Sequence, residues 1–513
     1  MSLFFWDSPA YAETHYKFKL PWSLLYRPWP EILIDAPFQV IPGEPLCLWI
    51  VVRDADRFPT RLTHLQLHLK LDGQSLMARE INLHLDANQT FCFFPLEIKD
   101  LAPGHYEIKP ILSVERKGKR KNLNRWNFPT LLSQPLNVQI LSKPIPKPLG
   151  YIAGETHCHT HYSADPVEFG ASPKVLQSAA KSIGLDYVIC TDHAYDFAFE
   201  AKDYMRPTTA DLRFRALQEE IEALPPMPKL IAGEEISAGN SRRENVHLLA
   251  PGPLKYLPGL GDCGRNWLHN FPTLQIPQIL QSAGVPCFAA HPKCPINKIE
   301  RFVFRRGDWH HEDLNLNADN PLAGIQFWNG TRDKGFFRGR AWWIRELEQG
   351  NRLLPIGGND AHGDLNDTTG VSIPLMKLSH SRHHIFGKVR TVIELCEYSS
   401  REKVSQTDIM NAFRGDNLYI TDGPALWWER NRKVITFRAH SNEEMGAFKK
   451  VRLFAHRKGD SHEKEIFSPD FCPTNKELKY DFMHSIIAEN FHYVRAECET
   501  ALDKFALTSA AFI

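Results

Sequence analysis

The chain has 513 residues, with 61 Lys and Arg against 60 Asp and Glu, 43% hydrophobic and 24% charged residues. That is the profile of folded globular protein with about three domains, and it excludes disorder as the main theme. A net charge of +1 argues against nucleic acid or an anionic membrane as the principal partner.

The N-terminal stretch MSLFFWDSPAYAETHYK lacks a basic segment followed by an apolar one, so no secretory leader is expected. The longest clean apolar run, Leu46 to Val52, is far short of the ~20 residues of a spanning helix. Ten cysteines without a CxxC pair read as reduced, packed thiols of a cytoplasmic protein.

Residues 30 to 147 read as all-β. Leu65, Leu67, Leu69 and Leu71 alternate with polar residues, Asp72-Gly73 marks a hairpin, and Ile81, Leu83 and Leu85 alternate again. An antiparallel sandwich follows from such strands at short spacing. His64, His68 and His84 fall on the polar phase and are expected at the surface. The basic run Arg116, Lys117, Lys119, Arg120 and Lys121 reads as a solvated hairpin tip, with an anion contact as the alternative.

Pro144, Pro146 and Pro148 form a stiff linker. After it, strands alternate with helices. Ser172 is an N-cap and Pro173 suits the first helical position. Val175, Leu176, Ala179 and Ile183 make an apolar stripe, and Gly184 stops it. A strand is expected from Asp186 to Cys190, then a helix around Phe214, Leu217, Ile221 and Leu224, then further strands at 229–232, 286–290, 325–328 and 353–356. This alternation predicts a parallel α/β barrel, because polar residues cluster after successive strands. From about residue 426 the pattern returns to β. The expected organisation is therefore 1–147, an N-terminal β-sandwich; 148–425, a barrel; and 426–513, a small β-rich domain.

The 23 histidines carry the functional argument. His157 and His159, two apart on an extended chain, place both imidazoles on one face. His161 and Asp165 follow in a loop. Thr191-Asp192-His193, Glu234-Glu235 with His247 downstream, Ala290-His291-Pro292 and Asp360-Ala361-His362 each end or follow an expected strand. Each has an ordinary structural explanation alone, such as a hydrogen-bonded core histidine or a capping carboxylate. Together they make a His, Asp and Glu cluster with no Lys or Arg among its members, which is stable around cations. Mixed N and O donors suit Zn, Mn or Fe.

This order of motifs resembles the PHP (polymerase and histidinol phosphatase) family over about residues 150 to 425. The Asp165-Pro-Val-Glu168-Phe-Gly and Thr421-Asp-Gly-Pro-Ala-Leu stretches are similar to its carbaryl-hydrolase-like branch. The resemblance implies a distorted (β/α)7, TIM-like barrel holding two or three divalent ions. His157, His159, Glu235 and Asp360 would hold the first ion. Glu235 would bridge to a second, completed by His247 and His291. His193 and His362 would hold a third, with Asp165 at a variable position and His161 as its alternative. Asp192 would orient ligands from behind.

Glu235, Asp360, His193 and Asp192 are the residues expected to carry catalysis. The activity implied is a metal-dependent hydrolase, a phosphoesterase with a metal-bridging hydroxide as nucleophile. The substrate expected is a small-molecule ester. Hydrolysis of a carboxyl ester, carbamate or amide, a nuclease, and an inactive binding module are the alternatives. Cys158 should face away from the ions, and Arg242, Arg243 and Lys293 are candidate phosphate contacts.

Overall fold

The structure, a computed structural model, describes residues 29–127, 133–163, 170–200, 203–263, 270–296, 298–314, 321–366, 372–373, 376–377, 384–395, 403–469, 471 and 478–513. The N-terminal region is a sandwich. Glu31–Asp35, Leu46–Arg53 and Phe91–Ile98 form one antiparallel sheet. The other is built on Thr60–Leu71, Arg79–Ala87, Gly104–Arg116, Lys119–Leu123 and Leu136–Ile140. Ile34, Leu48, Ile50, Leu65, Leu67, Ile108 and Val138 fill the space between them. The alternation expected over residues 65 to 71 is seen in the strand Thr60–Leu71, with Leu65, Leu67 and Leu69 buried, His68 exposed and Leu71 half-buried.

Leu46–Arg53 is buried on both faces, which explains its unbroken apolar run. Trp49 and Val51 leave the sandwich core and join Val175, Leu176 and Ala179 in a second cluster. Those residues lie on the helix Pro173–Ser182, capped by Ser172 Oγ accepting from Val175 N at 3.3 Å. The sandwich is thereby seated on the central region, at about 1.5–3 kcal/mol for each large apolar side chain removed from water.

A 14-stranded sheet organises the rest. Its path runs from Leu354–Gly358 through Gly324–Asn329, Phe288–Ala290, Asn245–Ala250, Lys229–Gly239, Tyr187–His193 and Tyr151–Cys158 to Arg390–Glu394 and Leu418–Thr421. It continues into Phe505–Thr508, Tyr493–Thr500, Phe448–His456 and Lys464–Phe467. Ala425–Asn431, Val434–His440 and Asp481–Ile487 form a separate three-stranded sheet.

This topology corrects the expected (β/α)7, TIM-like barrel. Lys229–Gly239 and Asn245–Ala250 form an antiparallel hairpin, and Phe288–Ala290 pairs antiparallel with the latter. Tyr151–Cys158 pairs antiparallel with Arg390–Glu394. The molecule is mainly β, with large mixed sheets rather than one helix per parallel strand. The physical reason is that periodicity reports which face of a strand is buried, but not its direction or its partner. A five-residue turn at 240–244 reverses the chain between Lys229–Gly239 and Asn245–Ala250, adding an antiparallel strand before the helix Ile276–Ala283.

Among the described residues, no helix is long and apolar enough to cross a membrane. The basic run forms the turn between Gly104–Arg116 and Lys119–Leu123, with Lys117 and Gly118 both at positive φ.

Candidate metal centre

Strand ends converge on one buried cluster. Tyr151–Cys158 delivers His157 and, one residue past its end, His159. Tyr187–His193 includes the Thr191-Asp192-His193 motif within the strand. Glu235 sits in Lys229–Gly239, and His247 in the strand paired to it. His291 and Asp360 follow their strands at φ 28 and 53, unusual for residues with a Cβ. Asp360 N donates to His157 O at 2.7 Å, and His159 N to Ala361 O at 2.8 Å. Gly358 permits this closeness, because a Cβ there would lie 2.7 Å from His157 Cβ and 2.9 Å from its N.

Three groups emerge with ligand atoms within 4.8 Å of one another: His157, His159, Glu235 and Asp360; Glu235, His247 and His291; and His159, His193 and His362. The first two match the sets expected from sequence. In the third, His159 takes part as well, which strand spacing did not indicate. Asp165, expected there, lies outside the described residues. His161 turns instead to the sandwich, with its ring 5.3 Å from Phe91 and 5.7 Å from Phe93. Burial beside Arg213 pushes it down to about 3.

Glu235 splits its two oxygens. Oε1 meets His247 Nδ1 at 2.6 Å and His291 Nε2 at 3.0 Å. Oε2 meets His193 Nδ1 at 3.1 Å, His157 Nε2 at 3.4 Å and His159 Nε2 at 3.5 Å. Asp360 Oδ1 stands 3.1 Å from His159 Nε2 and 3.3 Å from His157 Nε2. His193 and His362 face each other through their Nε2 atoms at 3.4 Å.

His157 and His159 are held from behind. His157 Nδ1 donates to Gln326 Oε1 at 2.9 Å, leaving the Nε2 lone pair for the cluster. The Gln326 amide donates to Asn329, which donates to Asp360 Oδ2 at 3.1 Å. His159 Nδ1 donates to Ser163 Oγ, and Ser163 Oγ donates to Asp192 Oδ1 at 2.8 Å. Asp192 also accepts from Thr160 N and Oγ1 and from Ser163 N, so it orients the cluster without entering it. Gln326, Asn329 and Ser163 had no sequence signal, because single amides and hydroxyls after strands are common. Asp262, at 2.9 Å from His247 Nε2, has no sequence signal either, because it lies in a turn outside any metal-ligand motif.

The electrostatics are those of a cavity that wants positive charge. Burial alone pushes His157 down, but Asp360 and Glu235 outweigh it and hold it up at about 9. His247 is likewise held up at about 9, by Glu235 and Asp262 against burial. Burial opposes ionisation of Glu235 and Asp360, yet the surrounding imidazoles keep both well below the usual carboxylate range. Burial with His362 and His193 alongside pushes His159 well below its usual value. Burial lowers His291 and raises Asp192.

The donor set fits divalent cations. His157 Nε2, His193 Nδ1 and Glu235 Oε2 are buried, converge on one another and have no hydrogen-bond partner among the described residues. Such orphaned atoms are costly unless a cation satisfies them.

No known protein-family model matches the chain, and no curated protein does. Among solved structures, the chain is similar to a hypothetical protein from Pyrococcus horikoshii OT3, at 9% identity, covering 18% of this chain and 88% of that one, TM-score 0.15. It is also similar to a CARDB domain from Pyrococcus furiosus, solved with di-metal ions, at 13% identity, 24% and 100% coverage and TM-score 0.15. A third is a β-D-mannosidase from Dictyoglomus thermophilum, at 8% identity, 94% and 66% coverage and TM-score 0.24. At these TM-scores the likenesses carry no argument about fold or chemistry.

The three candidate phosphate contacts are placed as follows. Lys293 donates to Trp309 O and lies over the Trp342 ring at 4.4 Å. Arg242 and Arg243 are exposed in the turn of the hairpin that carries His247. Glu234 points away from Glu235, accepting from Leu257 N at 2.9 Å, and burial raises its carboxyl well above the usual range. Cys158 Sγ, buried, donates to Ile189 O at 3.5 Å.

Proposed function

We propose that the protein is a metal-dependent hydrolase, acting first on phosphoesters. The observation that carries this reading is the division of the Glu235 carboxylate, one oxygen to each of two imidazole groups, as a bridging ligand requires. His157, His159, Glu235 and Asp360 would hold one ion, and Glu235, His247 and His291 a second. His193 and His362, with His159, would hold a third. Nitrogen and oxygen donors suit Zn, Mn or Fe. Ions held there would supply an acidified water and offset charge developing on the attacked centre.

The chain's own contribution is order. Asp192, through Ser163, and Gln326, through Asn329, fix His159, His157 and Asp360 before substrate arrives. No side-chain nucleophile is required, and Cys158 is hydrogen-bonded to the neighbouring strand. The PHP-like motif order places a phosphoester first. The Thr421-to-Leu426 similarity keeps a carboxyl ester or carbamate as the second reading. In the structure that stretch is a turn closed by Thr421 Oγ1 donating to Pro424 O at 2.7 Å. Cys47, Cys92, Cys158, Cys190, Cys287 and Cys498 are free thiols, in keeping with a cytoplasmic setting.

Elemental analysis of protein expressed in metal-supplemented medium tests the first half, with two or three divalent ions per chain expected and less than one overturning it. A screen of phosphomonoesters, phosphodiesters and carboxyl esters then tests the second. Turnover confined to carboxyl esters sinks the phosphoesterase reading.

A further inference from the structure

The His247 imidazole is gripped on both sides. Nδ1 faces Glu235 Oε1 at 2.6 Å, and Nε2 faces Asp262 Oδ2 at 2.9 Å. The same Asp262 oxygen accepts from Arg306 Nε at 2.7 Å. Asp262 and His247 side chains are 1% and 6% exposed, whereas that of Arg306 is 35% exposed. A buried carboxylate beside a histidine is costly unless paired, and here the guanidinium pairs it from the rim.

The chain goes to some length to put Asp262 there. Leu260 bridges to Ser237, the register partner of His247. Gly261 lies so close to Asn245 that a Cβ would fall 2.0 Å from its Oδ1. Asp262 then takes a positive φ of 64. From the other side, Asn245 bridges to Arg306, receives a hydrogen bond from Gly307 N at 2.9 Å, and donates through Nδ2 to Phe304 O at 2.8 Å. Two separate segments thus converge on the strand of His247, one bringing the carboxylate and one the guanidinium.

We propose that Asp262 is a positioning residue for the ion held by Glu235, His247 and His291. It accepts the Nε2 proton of His247, fixes the tautomer that presents the Nδ1 lone pair, and makes that nitrogen a stronger donor. Arg306 holds Asp262 in place. This rests on the metal-site reading above and adds a prediction specific to one of its ions.

The test is calorimetric titration of the metal-stripped full chain with Mn2+ alone, which requires no substrate. Asp262→Asn keeps the size of the side chain and removes its charge. It is expected to weaken one binding event about 10- to 100-fold and leave the others unchanged. In a His247→Ala background, Asp262→Asn should weaken Mn2+ binding no further, because its effect passes through that imidazole. Arg306→Gln should weaken the same event by less. Wild-type binding by Asp262→Asn, or an undiminished effect in the His247→Ala background, overturns the proposal while leaving the metal site standing. Absence of Mn2+ binding by the wild-type chain overturns both. Should Asp262→Asn not fold, Arg306→Gln decides in the same two backgrounds.

Discussion

The sandwich and the central sheet use histidine in opposite ways. His64 sits on a strand of the sandwich, 32% exposed, paired with Glu80 at 2.7 Å. His157 and His159 sit at a strand end with no exposure, between Glu235 and Asp360. The exposed pair is the shorter, at 2.7 Å against 3.1–3.5 Å, yet the surroundings and not the lengths set the two apart. Water screens the first pair, and such pairs contribute about 0–1 kcal/mol. The second group has no water to fall back on, so each nitrogen must be given a partner by the protein or by an ion. Distance alone therefore says little about a His–carboxylate contact; burial and the number of converging donors decide whether it is an ornament or a site.

The largest break in this contrast should come at Glu235. Glu235→Gln removes the charge that both imidazole groups share, and is expected to lose at least one ion and nearly all activity. Glu234→Gln, on the preceding residue, should retain the full metal content, since that carboxyl points away from the cluster and accepts from Leu257 N. Equal metal loss in the two variants, measured by elemental analysis, would show the strand register to be wrong.

Removing the metal should expose a pH dependence in the central sheet. His157 and His247, held at about 9 against the usual ~6.5, stabilise the metal-free fold when protonated. That contribution is fully present below about pH 6.5 and is lost as the pH climbs through about 9. The melting temperature of chelator-treated protein should fall across this window. Protein loaded with Mn2+ should not show the fall, because ions take the place of those protons. A flat profile without metal contradicts the assignment.

A milder effect is expected from behind the ligands. Asp192→Asn leaves every ligand in place but weakens the anchor of Ser163, and should reduce metal affinity or activity about 10- to 100-fold. Unchanged Mn2+ binding and turnover would show that Ser163 alone orients His159. The smallest effect belongs to the sandwich. His64→Ala should shift unfolding free energy by no more than about 0.5 kcal/mol and leave metal content alone. A larger loss in chemical denaturation would undo the contrast itself.

The centre was far more legible than the architecture around it. His157, Glu235, His247, His291 and Asp360 are legible only jointly: each has an ordinary explanation alone, and it is the recurrence of imidazole and carboxylate in or just after successive strands that marks a site. His159 doubles between two groups, and no spacing rule reports that, since it depends on how far His193 and His362 lean across. Gln326, Ser163, Asn329 and Asp262 are ordinary residues made important only by what they touch. The order and direction of strands in the sheet are not legible, because alternation along a strand carries no information on its neighbour. The turn at 240–244 looks like any polar loop, yet it decides that His247 arrives on an antiparallel strand.

The approach of Asp360 to His159 joins residues 201 positions apart in the chain. Loops of that length close slowly, and contacts across them come late in folding. A divalent ion cannot template the early steps, because no short segment carries a complete set of donors. An ion bound there would act instead as a latch, engaging after both ends of this stretch have been assembled. Escape of the ion should then be governed by opening of the same long loop, so that a chelator works at the pace of local unfolding rather than of diffusion.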